Sequence, residues 1–325
     1  MDHKRIFSIS SEEEFKEVSL EVFNFQYSNN LVYRRFCDLL KIIPKQVNEI
    51  SKIPFLPIQF FKSHEILSSK NTIEKIFTSS GTTGVETSKH YVTDLSLYEA
   101  SFSKAFLHFY GDIKNYVVLA LLPSYLEREG SSLIYMANYL IKKSGHPQSG
   151  FYLNNLTELK NTLIALDKAG KKVLLIGVSF ALLDLVETHQ FKLKNTVVME
   201  TGGMKGRRKE IIREELHQIL KKGFGVDHIH SEYGMTELLS QAYSKGGGIF
   251  ECPKWMKILI RDPEDALAYL SPKKTGGINV IDLANLYSCS FIATQDLGKK
   301  HPDGSIEIMG RFDSSDIRGC NLLIL

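Results

Sequence analysis

Short apolar segments alternate with longer amphipathic segments through the middle of this 325-residue sequence, and this alternation constrains its fold more than any other feature. Residues 116–122 and 172–177 are the clearest apolar segments, and 196–199 and 226–229 extend the series. Helical periodicity separates them, most clearly at 131–143, 156–168, 180–187 and 209–222. Strands that alternate with helices of about 10–15 residues predict βαβ units and a parallel sheet. The sequence therefore predicts an α/β fold.

The texture of the sequence changes after residue 246. Shorter predicted strands at 257–260, 277–282, 288–293 and 305–309 are separated there by Gly, Pro and Asp turns. Near the other end, Ser11 followed by Glu14 is a capping box that predicts a helix reaching about residue 27. We therefore expect a single domain over 1–325, with an α/β part at 1–245 and a β-rich subdomain at 246–325.

Composition excludes several classes of protein. A 43% apolar and 24% charged sequence with a net charge of +3 is ordinary for a globular protein and predicts no nucleic-acid partner. No run approaches the roughly 18 apolar residues of a membrane helix, and the first residues lack the apolar core of a signal peptide. The four cysteines form no C-x-x-C pair, so neither a zinc site nor a disulfide scaffold is indicated. We expect a cytoplasmic protein.

A loop of small hydroxyl-bearing and glycine residues follows Phe77. Glycines let a backbone approach a ligand closely, and backbone N–H groups with Ser/Thr hydroxyls can surround a polyphosphate. The spacing is not that of a Walker A loop, and a polar surface turn has the same composition. The candidate phosphate-binding residues are Ser79, Ser80, Gly81, Thr82, Thr83 and Gly84, with Lys89 beyond them.

Two further candidate segments follow predicted strands. Gly202 and Gly203 come directly after the strand at 196–199, where the loops of a doubly wound sheet bind ligands. Segment 231–237 combines an aromatic ring, a glycine, a hydroxyl and a carboxylate. Tyr233 could stack on a purine, Thr236 could bond a phosphate oxygen, and Glu237 could hold Mg²⁺. A flexible turn and a helix cap are the structural alternatives for the two segments.

Asp296 and Arg311 complete the candidate set. Asp296 follows the predicted strand at 288–293, where a carboxylate can accept hydrogen bonds from ribose hydroxyls. Arg311 could contact ribose or phosphate as a charged donor. A turn and a surface ion pair, respectively, would explain the same residues without a ligand.

The order of these segments resembles the core motifs of the adenylate-forming superfamily, whose members activate a carboxylic acid with ATP as an acyl-adenylate. The resemblance spans residues 78–319. It implies that residues 79–84 cradle the ATP phosphates, and that Gly202 and Gly203 belong to the same site. It further implies adenine beside Tyr233 and Gly234, phosphate and Mg²⁺ at Thr236 and Glu237, and ribose at Asp296 with Arg311.

A narrower resemblance is to the LuxE-type acyl-protein synthetases. It rests on residues 80–84, on 87–91, on Leu122-Pro123-Ser124-Tyr125 and on the ending Asp316–Cys320. That family activates fatty acids and carries the acyl group on its own cysteine as a thioester before passing it to a reductase. The resemblance therefore implies a fatty acid substrate, an acyl reductase or acyl-carrier partner, and Cys320 as acyl acceptor. Cys320 could equally be a small apolar residue of a buried terminal strand.

The sequence departs from the superfamily pattern in two places. Four residues intervene between Gly84 and Lys89, where the superfamily has its loop lysine almost at once. Superfamily members also continue into a mobile terminal domain that supplies a catalytic lysine, which this sequence is not expected to have. Lys89 and Lys205 are the candidates to replace it. Transfer of the acyl group to coenzyme A or a carrier-protein thiol, or a non-catalytic binding subunit, are the alternative functions.

Overall fold

Four parallel strands, β4, β6, β7 and β8, form the center of a large mixed sheet. The computed structural model describes residues 3–79, 87–122, 130–152, 155–202, 208 and 211–311. Within these residues the helices are α1 (Glu12–Asn29), α2 (Leu31–Leu39), α3 (Phe60–Ser63), α4 (Leu95–Tyr110), α5 (Ser132–Ser144), α6 (Leu156–Lys168), α7 (Ser179–Thr188) and α8 (Arg213–Phe224).

The strands belong to two sheets. Strands β2 and β3 form a separate antiparallel ribbon, and the others form a 12-stranded sheet in which β1 pairs with β13 and the remaining order is β11-β12-β13-β14-β10-β9-β8-β7-β6-β4-β5. The strands are β1 (Leu56–Pro57), β2 (Lys75–Thr78), β3 (Lys89–Val92), β4 (Val117–Leu121), β5 (Gly150–Phe151), β6 (Val173–Val178), β7 (Thr196–Thr201), β8 (His230–Tyr233), β9 (Ala242–Ser244), β10 (Ile249–Glu251), β11 (Met256–Arg261), β12 (Thr275–Asp282), β13 (Phe291–Lys300) and β14 (Ile306–Arg311).

The central strands confirm the predicted α/β architecture. Every residue of β4 and β6 is buried, as expected for parallel strands covered by helices on both faces. From β4 the chain first moves to the edge of the sheet at β5. It then returns past β4 and continues in the opposite direction through β6, β7 and β8. Because such crossovers are right-handed, α5 lies on one face and α6, α7 and α8 on the other. Helix α4 packs against α5, and α7 packs against α8.

The β-rich region that follows residue 246 is present, but its strands continue the same sheet. Strand β9 pairs with β8 and β10, and β10 pairs with β14. Strands β11 to β14 then form an antiparallel meander. Helix α1 packs near this meander: the Gln26 side chain reaches backbone and hydroxyl groups at 285–290.

Two strand predictions are wrong in their boundaries. The strand predicted at 226–229 starts only at His230, and it includes Ser231–Tyr233, which were expected to lie in a loop. Pairing with β7 on one side and β9 on the other holds these polar residues in extended conformation. Likewise β13 begins at Phe291 and continues to Lys300, so Asp296 lies within a strand rather than after one. The residues around Asp296 have a weak intrinsic preference for strands, and their pairing with β14 holds them in the extended conformation.

The predicted N-terminal helix and its Ser11 cap are confirmed, whereas the return bond of the capping box goes to a different amide. The Ser11 hydroxyl accepts a hydrogen bond from the Glu14 amide, at 3.2 Å, and α1 begins at the next residue after Ser11. The Glu14 carboxylate returns to the amide of Ser10, at 2.7 Å, rather than to Ser11 itself. Within the described part of the chain, no helix combines the length and the apolar character needed to cross a membrane.

Candidate active site

The loops that carry the sequence motifs start at one edge of the sheet. Strands β4, β6, β7 and β8 run parallel, so their carboxyl ends, at Leu121, Val178, Thr201 and Tyr233, point the same way. Open α/β sheets bind their ligands at this edge. The segments after β4, β7 and β8 are those in which motifs were predicted. Residues 203–207 and 123–129, and with them Gly203, Lys205 and Pro123-Ser124-Tyr125, lie outside the described residues.

The ribbon of β2 and β3 brings Ser79 and Ser88, which flank the Ser/Thr/Gly loop in the sequence, to the same edge. The Thr78 amide donates to the carbonyl of Gly130, at 2.8 Å, and Gly130 lies two residues before α5. At the base of the loop, Ser79 and Ser88 exchange two hydrogen bonds, from the Ser79 amide to the Ser88 carbonyl (3.1 Å) and from the Ser88 amide to Ser79 Oγ (2.9 Å). The ends of the loop are therefore closed together. Five candidate residues, Ser80, Gly81, Thr82, Thr83 and Gly84, lie outside the described residues.

Lys89 and His90 occupy successive positions of β3 and therefore point to opposite faces of the ribbon. Lys89 is exposed, whereas the His90 imidazole is fully buried. Its Nδ1 lies 2.8 Å from the Thr236 carbonyl oxygen, and its Nε2 lies 2.9 Å from Asn285 Oδ1. Burial lowers the pKa of His90 to about 4, although both acceptors oppose the shift. His90 was not selected from the sequence. The available signal was the two-residue spacing from Ser88, which places the two side chains on the same face of an extended segment.

Tyr233, Asp296 and Arg311 come together although they are far apart in the sequence. The Tyr233 hydroxyl donates to Asp296 Oδ2 at 2.7 Å, and Arg311 Nε lies 3.6 Å from Asp296 Oδ1. Asp296 and Arg311 are paired across β13 and β14. Burial raises the pKa of Asp296 above its ordinary value, and the Tyr233 hydroxyl and the Arg311 guanidinium oppose the rise. The Asp296 side chain is only 15% exposed, while that of Arg311 is 83% exposed.

Glu237 lies at the buried end of the segment that follows β8. Burial raises the pKa of Glu237, and a hydrogen bond with the Ser88 side chain, at the end of the ribbon, opposes the rise. The Glu237 carbonyl accepts from Asn285 Nδ2 at 2.8 Å. The following amides, of Leu239 and Ser240, both donate to Asp282 Oδ2, at 2.7 and 2.9 Å. The segment is therefore fixed along its backbone, and one carboxylate, that of Glu237, is placed beside the phosphate-loop ribbon.

A second acid, the partly buried Glu232, precedes Tyr233 and was missed from the sequence. Its Oε2 accepts a hydrogen bond from the Thr201 hydroxyl. Burial raises the pKa of Glu232 to about 7, with a smaller contribution from the charge of Glu200. A Cβ at Gly234 would lie 2.5 Å from Glu232 Oε1, so a larger residue there would require the Glu232 carboxylate to shift. Glu232 was expected in a loop because the predicted strand ended at residue 229. Glu232 instead lies in β8, between β7 and β9.

Gly202 ends β7 with a φ of +66°, a conformation that favours glycine. Its carbonyl accepts from the Ser179 hydroxyl at 2.9 Å, which ties the turn after β7 to the first residue of α7. Below it, Glu200 is buried between Arg213 Nε and His217 Nε2, each at 3.6 Å. Hydrogen bonding and charge from these neighbours outweigh the burial that opposes them, so the pKa of Glu200 is lowered.

The described residues contain no cluster of three or more His, Cys, Asp or Glu side chains that could hold a metal ion. A single carboxylate is nevertheless a usual protein contribution to Mg²⁺, since the remaining ligands are substrate phosphates and water. Of the four cysteines, Cys37, Cys252 and Cys289 are described, and burial raises the pKa of each to about 12. Cys320 lies outside the described residues.

The fold is that of the adenylate-forming ligases. A 2-hydroxyisobutyryl-CoA ligase with bound 2-HIB-AMP and CoA matches 93% of this chain and 70% of its own with a TM-score of 0.68 and 11% identity. ATP-bound MatB from Rhodopseudomonas palustris matches 75% of this chain with a TM-score of 0.56 and 18% identity, and the match covers about half, 49%, of MatB.

Within that class the sequence is similar to one group. The model of the family "Acyl-protein synthetase, LuxE" matches residues 4–97. The long-chain-fatty-acid--luciferin-component ligases of Aliivibrio fischeri and Vibrio harveyi are 24% and 23% identical over 93% and 92% of this chain, and 85% and 84% of their own lengths. The chain is thus similar to the LuxE acyl-protein synthetases, as the narrower resemblance predicted.

Proposed function

We propose that this chain activates a fatty acid with ATP and transfers the acyl group to a cysteine thiol. The observation that carries the proposal is the convergence of the Ser79–Ser88 loop base, the Tyr233–Asp296 pair and Glu237 at the carboxyl edge of the parallel strands. The names of the relatives in Aliivibrio fischeri and Vibrio harveyi support a fatty acid as the substrate. ATP-bound MatB supports ATP as the cosubstrate.

The first step is the formation of an acyl-adenylate. A carboxylate oxygen of the fatty acid attacks the α-phosphorus of ATP, and the bond to the bridging oxygen breaks as pyrophosphate leaves. The ribose hydroxyls would donate to Asp296, whose other oxygen already accepts from Tyr233 and is thereby fixed in orientation. Loop residues 79–84 and the Thr236 hydroxyl would donate to phosphate oxygens. Such preorganised donors stabilise developing charge without reorganisation during the reaction.

Mg²⁺, when bound with ATP, would neutralise charge on the phosphate oxygens and withdraw electrons from the α-phosphorus. Glu237 is the residue that would hold it, because its carboxylate lies beside the ribbon that carries the phosphate loop. Burial disfavours the charged form of Glu237, and a bound cation would stabilise that form.

The second step is thioester formation. A thiolate attacks the acyl carbon, and AMP leaves with the bonding electrons of the mixed anhydride. Cys37, Cys252 and Cys289 are held as protonated thiols by burial, which makes them poor nucleophiles at neutral pH. We therefore propose Cys320 as the acyl acceptor, from which the acyl group would pass to an acyl reductase or an acyl-carrier protein.

Pyrophosphate exchange and acyl labelling test the two steps separately. The protein is incubated with Mg²⁺, ATP and radiolabelled fatty acids of 8 to 18 carbons, about the range of common acyl chains, as wild type, Cys320→Ala and Cys252→Ala. We expect exchange with all three proteins and hydroxylamine-labile label on the wild type and Cys252→Ala only.

Two other outcomes would change the proposal. Exchange without protein label, but with thioester formed on added coenzyme A or a phosphopantetheinylated carrier, would replace Cys320 by an external acceptor. Absence of exchange at every chain length, in a preparation shown to be folded by circular dichroism, would refute adenylate formation.

A further inference from the structure

His90 connects the two loops of the candidate site although neither motif includes it. It lies on β3, directly after the closed base of the phosphate loop, and its imidazole is fully buried. Nδ1 lies 2.8 Å from the carbonyl oxygen of Thr236, in the segment after β8. The Phe61 ring packs edge-on against the other side of the imidazole, with 5.7 Å between the ring centroids. The imidazole is therefore held between the N-terminal region and the site.

The direction of the bond to Thr236 follows from its chemistry. The Thr236 carbonyl and Asn285 Oδ1 both only accept, and a neutral imidazole has one N–H to donate, so we place that proton on Nδ1, toward Thr236. Asn285 acts beside it: its Nδ2 donates to the carbonyls of Glu237 and Cys289, at 2.8 and 2.9 Å, and its Oδ1 faces His90 Nε2. Two successive carbonyls, of Thr236 and Glu237, are thus held from the same side.

The remaining restraints on this segment come from elsewhere. Asp282 accepts from the Leu239 and Ser240 amides, so it fixes the later part of the segment to β12. Among the described residues, one hydrogen bond joins the backbone of this segment to the β2–β3 ribbon, and it runs from His90 to Thr236. It joins the phosphate-loop ribbon to the residues that would serve phosphate and Mg²⁺.

We propose that His90 is a positioning residue that sets Thr236 and Glu237 relative to the phosphate loop. The proposal rests on the proposed function, because it gives these two groups a nucleotide to serve. When the bond is lost, the segment after β8 can shift relative to the β2–β3 ribbon. Thr236 and Glu237 then no longer face the same nucleotide as the residues of the ribbon. Such a defect weakens the binding of MgATP and leaves the binding of the fatty acid nearly unchanged.

Three substitutions at this position separate the hydrogen bonds from the packing. His90→Asn places an amide N–H near the position of Nδ1 and can still donate to Thr236. His90→Gln places its amide near Nε2 and loses the bond to Thr236, while His90→Leu loses both contacts and keeps an apolar side chain. Phe61→Leu is the matched control, since it removes packing from the same imidazole and leaves both polar contacts in place.

The readout is the KM for MgATP and the kcat of pyrophosphate exchange, with the Tm of each protein. We expect the KM for MgATP to rise about tenfold in His90→Leu and His90→Gln, and less than threefold in His90→Asn. The KM for the fatty acid should stay within twofold in all of them. Phe61→Leu should lower the Tm and leave the KM for MgATP unchanged.

A purely structural histidine gives a different pattern. The proposal is overturned if His90→Leu and His90→Gln lower only the Tm and the active fraction, with the wild-type KM for MgATP. It is also overturned if His90→Asn and His90→Gln are equally impaired, because the bond to Thr236 then has no special weight.

Amide hydrogen exchange without substrate separates this proposal from the proposed function. In His90→Gln the amides of residues 235–238 should exchange at least tenfold faster than in the wild type, while those of 239 and 240, held by Asp282, change less. If the wild type does not catalyse pyrophosphate exchange, the proposed function fails but this measurement still applies. Equal exchange rates at 235–238 in both proteins would overturn the positioning role itself.

Discussion

Glu232 gives the clearest test of the electrostatics of the site. Burial raises the pKa of this carboxyl group from its ordinary value of 4.5 to about 7. The folded chain therefore binds more protons than the unfolded chain between these two values, and the free energy of unfolding falls as pH rises through this window. At about 1.4 kcal/mol per pKa unit, the total is about 3 kcal/mol, most of which falls between pH 5 and pH 8.

Replacing Glu232 by Gln removes this dependence. The amide cannot ionise, and its oxygen can still accept the hydrogen bond from Thr201. The stability of Glu232→Gln relative to the wild type should therefore increase by about 2–3 kcal/mol between pH 5 and pH 8. Other groups that titrate in this range, such as Asp282 with a pKa of about 6, are present in both proteins and cancel in the difference.

Urea unfolding followed by circular dichroism measures this difference. Free energies are extrapolated to water at pH 5, 6, 7 and 8 for the wild type, Glu232→Gln and the control Glu264→Gln, whose side chain is exposed. The control should follow the wild-type curve. If the gap between Glu232→Gln and the wild type stays constant within about 0.5 kcal/mol over this range, Glu232 is not a neutral buried acid and the reasoning is refuted.

Three further predictions concern other buried carboxylates. Asp296→Ala should raise the KM for ATP in pyrophosphate exchange at least about tenfold, since a hydrogen bond to a charged group contributes about 1.5–3 kcal/mol; an unchanged KM would separate Asp296 from the nucleotide. Asp282→Ala should lower the free energy of unfolding by about 3 kcal/mol or more, because three backbone amides and the Ser240 hydroxyl lose their acceptor; urea unfolding with Asp282→Asn as the partial rescue checks it. Glu200→Ala should cost about 1–3 kcal/mol, because Arg213 and His217 lose the carboxylate between them while Arg213 keeps its bond to the Ile308 carbonyl, and a loss no larger than that of the exposed control Glu214→Ala would contradict this.

The parallel part of the fold could be predicted because its strands carry their own signal. The apolar runs at 116–122 and 172–177 correspond closely to β4 and β6, which are buried on both faces. Strands β8 and β13 do not carry such a signal in the parts that reach the site. There, Ser231, Glu232 and Asp296 are extended because neighbouring strands pair with them, and pairing depends on residues distant in the sequence.

The site could be predicted as a set of residues but not as an arrangement. The motifs indicated that Tyr233 and Asp296 both serve a nucleotide, yet 63 positions separate them, and only the order of β8, β9, β10, β14 and β13 brings the hydroxyl to the carboxylate. Glu232 was missed for a related reason. Its environment is defined by Thr201 and Gly234, one on a neighbouring strand and the other beyond the strand end.

The contrast between Lys89 and His90 shows what decides which side chain serves the site. Both belong to the segment after the phosphate loop, and the resemblance favoured the lysine because it is the best match to the loop lysine of the superfamily. The two-residue period of β3 allows only one of them to face Thr236 and Glu237, and the pairing of Phe77 with His90 and of Thr78 with Lys89 gives that face to the histidine. Lys89 lies on the opposite face of the ribbon and is exposed. Because the proposed nucleotide is served by Thr236 and Glu237 on the His90 face, a role of Lys89 in catalysis would require its side chain to extend past the edge of the ribbon.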